Sequence, residues 1–424
     1  MKMLHQTNHS ALEEIVCFEL GSGQPPWVGS TASLEIDRDA ICRLVTDGLI
    51  ELKETNNKSY ISGIDRVGLI KLPSGRRLVI RSKIENIVLL DWLAFLGDFP
   101  PLGVWLNDVG ITTGNDFHAC IARLFLREME KLTRLHLRKG YTLCFSNSPI
   151  IRGKVMMTKL LRNLHQLPCI PQRYKTRSLN THHNMVLALA LDKIPLLLLG
   201  SKIEERKLLA NIRNLWADIS REINDPGYIF NELLFSCPPG YRPALQLARI
   251  ILIGAEINPE SGFGGQAFTL SLSSVWERSL RRMIEQTSTE TGWISSPSSS
   301  RTRKWDDSIG LNDPTRWMTA DVMATKREKC WILDAKYKRA FGTESRVDRF
   351  QMCAYAIAFN ADRVTLAYPL AEIGWDRRTL LETIVGTKQV IIDSINLPMS
   401  AGPEQCKEAL VEVCDYPFRS PISG

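Results

Sequence analysis

The sequence CWILDAKYKRAFG (residues 330–342) combines the pattern of a buried strand with an acid and a base that follow it. Apolar residues lead directly into Asp334, and Lys336 stands two positions later. Because side chains alternate between the faces of a strand, Asp334 and Lys336 share one face, while Trp331 and Leu333 occupy the other. The segment therefore predicts a strand anchored in a core, with a charged end.

The preceding residues predict a partner strand that brings a second acid to the same face. The stretch RWMTADVMATKREKCWILDAKYK (residues 316–338) contains two strand-like segments joined by a charged turn. With the turn centred between Arg327 and Glu328, antiparallel pairing places Asp321 opposite Asp334. The Cβ atoms of directly opposed residues lie roughly 4.5–5.5 Å apart. The sequence thus predicts two adjacent carboxylates with a lysine beside them.

Two opposed carboxylates repel each other, which raises the pKa of one of them unless a cation lies between them. Mg²⁺ suits such a place, because proteins hold it with one or two carboxylates, waters and a phosphate oxygen. We therefore expect Asp321 and Asp334 to bind Mg²⁺, with Mn²⁺ as a possible substitute, and Lys336 to orient a water molecule. The spacing is equally compatible with two acids that end surface strands beside a solvated lysine.

Two helices flank the hairpin in the sequence. SSVWERSLRRMIEQ (residues 273–286) is amphipathic and carries Glu277, and RFQMCAYAIAF (residues 349–359) carries Gln351 and Tyr355 one turn apart. Taken singly, these are ordinary residues of amphipathic helices. Their order along the chain gives them weight: a Glu helix, an Asp strand, an Asp-x-Lys strand and a Gln helix.

Composition excludes several classes of protein. The 424 residues carry a formal charge of +7, which permits nucleic-acid binding without establishing it. The ten cysteines show no C-x-x-C spacing, so reduced thiols in a cytoplasmic protein are the simplest interpretation. There is no signal-peptide pattern and no apolar run of membrane-spanning length. A phosphate-binding G-x-x-x-x-G-K-[ST] loop is also absent, so we do not expect the chain to hydrolyse ATP or GTP.

The order and spacing of these acids, the lysine and the glutamine resemble the PD-(D/E)XK nuclease core, with Ala320 where a proline is usual. This resemblance implies an α/β fold in which a mixed sheet is flanked by helices. It implies catalytic roles for Asp321, Asp334, Lys336 and Gln351. It also implies that Glu277 can join Asp321 and Asp334 as a metal ligand, although a glutamate beside an arginine is also typical of a solvated helix face.

Several further segments resemble the McrC family, the nuclease subunit of McrBC-type, modification-dependent restriction systems. They are NIVLLDWLAFLGD (86–98), PIIRGKVMMTKLLRN (149–163), FTLSLSSVWERSLRRMI (268–284), WILDAKYK (331–338) and QMCAYA (351–356). Met156 and Met157 stand where an acid is common in that family. The predicted domains are a β-rich, partner-docking N-terminal domain (1–110), a mainly helical middle region (111–262), a nuclease domain (263–395) and a C-terminal tail (396–424).

The resemblance implies a division of labour with an AAA+ GTPase subunit similar to McrB. The chain would stimulate that GTPase and cut double-stranded DNA, which in this family carries modified bases, and no membrane is involved. Arg152 and Lys154 are interpreted either as partner contacts or as basic residues at a strand end. The candidate DNA-binding residues are Arg278, Arg281, Arg282, Arg301, Arg303 and Lys304.

Two alternatives to this function remain open on the sequence. One is a scaffold with a nuclease fold that activates an NTPase without cutting. The other is a repair nuclease that works without a motor and grips phosphates with the basic residues just named.

Overall fold

The computed structural model of the chain describes residues 14–20, 24–82, 86–98, 117–135, 137–198, 203–223, 226–255, 267–304, 317–338, 344–369, 374–385 and 388–415. The chain divides into two compact units. One contains Met1–Phe117 together with Ile257–Gly424, and the other contains His118–Glu256.

The described strands and helices alternate along much of the chain. The strands are β1 (Glu14–Phe18), β2 (Trp27–Ser30), β3 (Ile50–Thr55), β4 (Lys58–Gly63), β5 (Arg66–Lys71), β6 (Arg77–Arg81), β7 (Gly140–Ser148), β8 (Lys154–Val155), β9 (Ile170–Ser178), β10 (Ala267–Ser271), β11 (Ile294–Ser295), β12 (Thr302–Lys304), β13 (Trp317–Thr319), β14 (Val322–Lys326), β15 (Lys329–Ala335), β16 (Arg363–Tyr368), β17 (Asp376–Val385) and β18 (Lys388–Asn396). The helices are α1 (Arg38–Thr46), α2 (Asn86–Phe95), α3 (Phe117–Arg134), α4 (Met157–Arg162), α5 (His182–Leu197), α6 (Ile203–Leu215), α7 (Pro226–Phe235), α8 (Arg242–Ala255), α9 (Leu272–Gln286), α10 (Ser288–Thr291), α11 (Arg346–Ala358) and α12 (Pro403–Asp415).

The N-terminal part is rich in strands, as the sequence predicts. A four-stranded sheet has the order β1-β6-β5-β10, and a three-stranded sheet has the order β2-β4-β3. The β5–β6 turn is held by buried Asp37, which accepts hydrogen bonds from the Ser74 backbone N–H (2.9 Å) and from Arg76 Nη2 (2.8 Å). Because β10 lies about 200 residues after β5 in the chain, its pairing with β5 ties two distant segments into one sheet.

A six-stranded mixed sheet carries the charged strand end. Its order is β11-β14-β15-β16-β18-β17. The β14–β15 ladder pairs Val322 with Leu333 and Lys326 with Lys329, which confirms the predicted register and the position of the turn. Arg327 in that turn adopts a positive φ of 55°. The pairs β15–β16 and β16–β18 are parallel, whereas β17–β18 is antiparallel.

Apolar residues bury both faces of this sheet. On one face, Ile332 belongs to a core cluster with Met352 and Tyr355 of α11. On the other face, Trp331 lies edge-on to Trp293, with ring centroids 5.4 Å apart. Trp331 and Leu333 are fully buried, as the alternation predicts. Asp334 and Lys336 therefore point to the face that α11 covers.

A buried ionic network joins the parallel strands to β17. Asp393 accepts hydrogen bonds from Arg363 Nη2 (2.8 Å), Arg377 Nε (2.5 Å) and Thr365 Oγ1 (2.6 Å). Asp393 and Arg363 are 0% and 1% exposed. Both oxygens of the buried carboxylate therefore have hydrogen-bond donors, as a buried charge requires.

The C-terminal segment, predicted as a tail, contains helix α12 and belongs to the same unit as the six-stranded sheet. Helix α12 buries Cys406, Leu410 and Val413. Just before it, the carbonyl of Met399 accepts a hydrogen bond from Trp92 Nε1 of α2 at 2.9 Å. The sequence shows no motif there, but the spacing of these apolar residues is helical. Residues 416–424 lie outside the described residues.

The second unit contains a sheet as well as the expected helices. Its strands have the order β7-β9-β8, and helices α5 and α8 bury apolar residues such as Leu187, Leu191 and Ile251. The unit spans His118–Glu256, close to the predicted boundaries of 111 and 262. The structure differs from the predicted layout in grouping the N-terminal, nuclease and C-terminal segments as one unit. The β5–β10 pairing supplies the physical reason.

Two sequence-based exclusions concern thiols and membranes. The ten cysteines all lie in described segments, and none of them forms a disulfide. Within the described segments, no helix is both long and apolar enough to cross a membrane. Most of the Gly-rich junction at 258–271 lies outside the described residues.

Candidate functional site

The two predicted acids meet at the end of the β14–β15 hairpin. Asp334 is the second-last residue of β15 and is 3% exposed. Asp321 directly precedes β14, and its Oδ2 accepts a hydrogen bond from the backbone N–H of Ala335 at 2.7 Å. This bond holds the carboxylate of one strand against the backbone of the other. The arrangement excludes the alternative in which both acids simply end surface strands.

Lys336 and Gln351 complete the cluster. Lys336 Nζ lies 2.7 Å from Asp334 Oδ2 and donates a hydrogen bond to Gln351 Oε1 at 3.0 Å. Gln351 Nε2 in turn donates to Asp334 Oδ1 (3.3 Å) and to the hydroxyl of Tyr355 (2.9 Å). The lysine side chain is only 19% exposed. It is therefore fixed by an acid and an amide rather than extended into solvent.

Burial raises the pKa of both acids. The pKa of Asp321 rises to about 6, first because burial disfavours its charged form and second because Asp334 lies nearby. Burial also raises the pKa of Asp334, although the ammonium of Lys336 acts in the opposite direction. The two acids thus differ, because Asp334 has an adjacent cation and Asp321 is tied to a neutral N–H group.

Asp348 is a member of this cluster that the sequence reasoning missed. Its Oδ2 lies 2.6 Å from Lys338 Nζ, and its Oδ1 lies 3.8 Å from Lys336 Nζ. Asp348 also forms a capping box with Ser345 at the start of α11. Burial favours the neutral acid, but the bonds from Lys338 and Ser345 outweigh it and lower the pKa of Asp348. The Ser-x-x-Asp spacing signals the cap, but not its contact with the lysines.

Glu277 lies near the site but is engaged by an arginine. Arg281 Nη2 donates to Glu277 Oε1 at 2.7 Å and to the main-chain carbonyl of Asp321 at 2.9 Å. In the part of the chain that is described, no group of three or more His, Cys, Asp or Glu side chains is arranged to hold a metal ion. The structure therefore places Glu277 in an ion pair with Arg281, one helical turn away. Among the described residues, it does not form a three-carboxylate cluster.

Arg301 also binds the backbone at Asp321. Its Nη1 donates to the carbonyls of Asp321 (2.6 Å) and Ala320 (3.2 Å), and the residue is 8% exposed. Arg281 and Arg301, which the sequence suggests as DNA contacts, thus have internal partners in the protein.

The other predicted basic residues fall into three groups. Arg278 pairs with Asp98 at 2.6 Å, and Arg282 lies over the ring of Phe95 at 5.8 Å. Arg303 and Lys304 belong to β12, and their side chains lie outside the described residues. Arg152 and Lys154 are exposed in the second unit, around β8.

The donor set at the hairpin fits a hard divalent cation. Asp321 and Asp334 are two close carboxylates whose repulsion a cation would relieve. Mg²⁺ requires no more than one or two carboxylates if water and a substrate oxygen supply the rest. Asp321 and Asp334 are therefore the residues that could hold such an ion.

A family model described as "McrBC 5-methylcytosine restriction system component" matches residues 63–369. The chain belongs to this McrBC family. The match includes strands β5, β6 and β10 of the four-stranded sheet, the second unit, and the hairpin with α11, so it includes every candidate catalytic residue.

A solved structure shows a similar fold. The chain resembles one in "Refined half-complex from tetradecameric assembly of Thermococcus gammatolerans McrB AAA+ hexamers with bound McrC", with 14% identity and a TM-score of 0.58 over 95% of this chain and 100% of that chain. A chain of "Cryo-EM structure of the Thermococcus gammatolerans McrBC complex" aligns with 14% identity and a TM-score of 0.41, over 65% and 88% of the two chains. No curated protein matches the sequence.

Proposed function

We propose that the chain is the Mg²⁺-dependent DNA endonuclease subunit of an McrBC-type restriction system, with a nuclease core of the PD-(D/E)XK type. The observation that carries this proposal is the cluster of Asp321, Asp334, Lys336 and Gln351 at one strand end. Two acids, a fixed lysine and a helix amide are brought together in the order that this nuclease core uses. Family membership supports a role in restriction, and the cluster supports the reaction.

The reaction is hydrolysis of a phosphodiester by water. Asp321 and Asp334 would hold Mg²⁺, and Mn²⁺ would be able to replace it. When bound, the ion would lower the pKa of a coordinated water and neutralise charge on the phosphate. Lys336 then orients the attacking water and stabilises the negative charge that develops on the phosphate oxygens. Gln351 keeps the ammonium in place through its 3.0 Å hydrogen bond.

An AAA+ GTPase is the proposed partner. The chain has no phosphate-binding loop of its own, and the similar fold comes from an assembly of McrB AAA+ hexamers with bound McrC. Around Arg152 and Lys154, the second unit exposes apolar side chains, including Ile150 (62%), Ile151 (59%) and Met157 (57%). An exposed apolar surface with basic residues is suited to protein docking. We therefore assign partner contact to this region of the second unit.

The test compares the wild type with Asp334→Asn, which keeps the shape of the side chain and removes its charge. Each protein is mixed with the AAA+ GTPase of its own restriction system, GTP, Mg²⁺ and plasmid DNA containing 5-methylcytosine. We expect the variant to lose at least 100-fold in DNA cleavage while it stimulates GTP hydrolysis like the wild type. Lys407→Ala, in the exposed ion pair of Lys407 with Glu404, is the control that should retain both activities.

The same assay distinguishes the alternatives. GTPase stimulation by the wild type without cleavage at any Mg²⁺ or Mn²⁺ concentration would favour the scaffold function. Cleavage by the wild type without the partner would favour a stand-alone nuclease. Undiminished cutting by Asp334→Asn would refute the assigned site.

A further inference from the structure

We propose that Arg281 and Arg301 are positioning residues that hold the backbone of Asp321 so that its carboxylate stays at the cation site. This inference rests on the proposed function. Two guanidinium groups converge on one main-chain carbonyl oxygen, at 2.9 Å from Arg281 Nη2 and 2.6 Å from Arg301 Nη1. Arg301 additionally binds the carbonyl of Ala320 at 3.2 Å.

The position of Asp321 explains why such a clamp is needed. The β14–β15 ladder ends at the pair of Val322 and Leu333, so Asp321 lies one residue beyond the paired segment. Ladder hydrogen bonds alone do not fix a residue at a strand end. Its side chain is held by the Ala335 N–H and its carbonyl by two arginines. Asp321 is therefore held on both its carboxylate and its main-chain side.

The burial of the arginines separates this function from phosphate binding. Arg301 is 8% exposed, and the side chain of Arg281 is 24% exposed. These guanidinium groups already donate to acceptors inside the protein. To bind DNA they would have to give up those hydrogen bonds for phosphate oxygens. Removing a guanidinium from water is costly unless it finds hydrogen-bond acceptors. Here the acceptors include the main-chain carbonyl of Asp321, the candidate metal ligand.

Arg281 also connects Glu277 with the site. One Nη2 atom contacts both Glu277 Oε1 (2.7 Å) and the Asp321 carbonyl (2.9 Å). The predicted role of Glu277 thus becomes indirect, because it orients the arginine that orients Asp321. The spacing of four residues places both side chains on the same face of α9.

Calorimetric titration of Mn²⁺ into the full-length protein, without DNA or partner, tests the clamp. Partners that orient metal ligands typically contribute 10–100-fold to metal affinity. We expect Arg281→Ala and Arg301→Ala each to weaken Mn²⁺ binding about 10-fold, at the low end of that range. Arg281→Lys and Arg301→Lys should recover most of the loss, since an ammonium can also donate to a carbonyl.

Arg221→Ala is the matched control. Arg221 Nη1 donates to the carbonyls of Trp216 (3.0 Å) and Ala217 (3.1 Å) in the second unit, which contains none of the catalytic candidates. The control loses the same kind of bond, so it should lower thermal stability while keeping Mn²⁺ affinity within twofold. If Arg281→Ala binds Mn²⁺ with the same affinity as the wild type, the clamp is overturned. The same holds if the arginine variants lose salt-sensitive DNA binding while their Mn²⁺ affinity is unchanged.

Two further variants, Arg281→Lys and Asp321→Ala, separate a folding defect from failure of the clamp or of the metal site. If Arg301→Ala does not fold, Arg281→Ala and Arg281→Lys decide, because the side chain of Arg281 is less buried. Asp321→Ala should abolish Mn²⁺ binding. If it binds Mn²⁺ like the wild type, the proposed metal site itself is wrong, a failure distinct from that of the clamp.

Discussion

Replacing Asp321 with asparagine is expected to stabilise the metal-free protein at neutral pH. Burial and the adjacent charge of Asp334 raise the pKa of Asp321 from 3.8 to about 6. The folded state therefore binds this proton more tightly than the unfolded chain does. The resulting stability is fully present below about pH 4 and is lost as the pH rises through about 6.

The size of this loss follows from the two pKa values. Each pH unit between them is worth about 1.4 kcal/mol, so full deprotonation costs about 3 kcal/mol. Solvent screening of the part-exposed carboxylate reduces this to about 2 kcal/mol. Asparagine keeps an oxygen that can accept from the Ala335 N–H. The variant should thus gain about 2 kcal/mol in free energy of unfolding at pH 7.5.

Guanidinium unfolding in EDTA, followed by tryptophan fluorescence, measures the effect. The fully buried Trp276, Trp293 and Trp331 belong to the same unit as the site, so its unfolding dominates the signal. The advantage of the variant should disappear at pH 4. Added Mg²⁺ should stabilise the wild type and leave the variant unchanged. An Asp321→Asn protein that is less stable than the wild type at pH 7.5 would refute the reasoning, and so would an advantage that persists at pH 4. Glu35→Gln, in an exposed ion pair, should change little at either pH.

Two further predictions concern the core of the same unit and use the same unfolding assay. Asp393→Ala leaves the buried guanidinium of Arg363 without its carboxylate and should cost about 3–5 kcal/mol, whereas Lys407→Ala in an exposed pair should cost less than about 1 kcal/mol. Leu410→Ala in α12 should cost about 2–5 kcal/mol at the same transition if this helix is part of the unit, and an unchanged midpoint would contradict that.

The hairpin and its acids could be predicted because their geometry is local. Strand alternation and a two-residue charged turn fix the register, and the register alone places Asp321 opposite Asp334. The position of Gln351 follows from the next helix along the chain. The sequence signal was thus sufficient for the strand register and for Gln351, but not for the contact of Asp348 on the same helix with Lys336 and Lys338.

Contacts between distant segments were not predictable in this way. Nothing in residues 267–271 indicates that they pair with β5, so the grouping of the N-terminal and C-terminal segments in one unit could not be derived. Arg281 and Arg301 were interpreted as candidate phosphate contacts because each lies in a stretch rich in basic residues. The i, i+4 spacing of Glu277 and Arg281 is compatible with an ion pair, but the second acceptor of Arg281, the Asp321 carbonyl, is 40 residues away.

The second unit contains a strand whose alternating apolar side chains are not buried. Tyr141, Leu143 and Phe145 alternate along β7 with polar residues, which is typical of a half-buried strand. In the structure these three side chains are 75%, 48% and 61% exposed. Their register partners on β9 include Lys175 and Arg177. The apolar alternation therefore marks an outer surface, and helical spacing in the neighbouring segments dominated the prediction.

The unequal surroundings of the two acids connect the proposed reaction with the arginine clamp. Asp334 has its own counter-charge, because the ammonium of Lys336 lies 2.7 Å away. Within the described part of the chain, the hydrogen-bond donor to the Asp321 carboxylate is a neutral backbone N–H, and the pKa of Asp321 is raised to about 6. A bound cation would therefore relieve Asp321 more than Asp334. The acid that gains most from a cation is also the one whose carbonyl two guanidinium groups hold in place. A purely structural function of those arginines would not require them to meet at this residue.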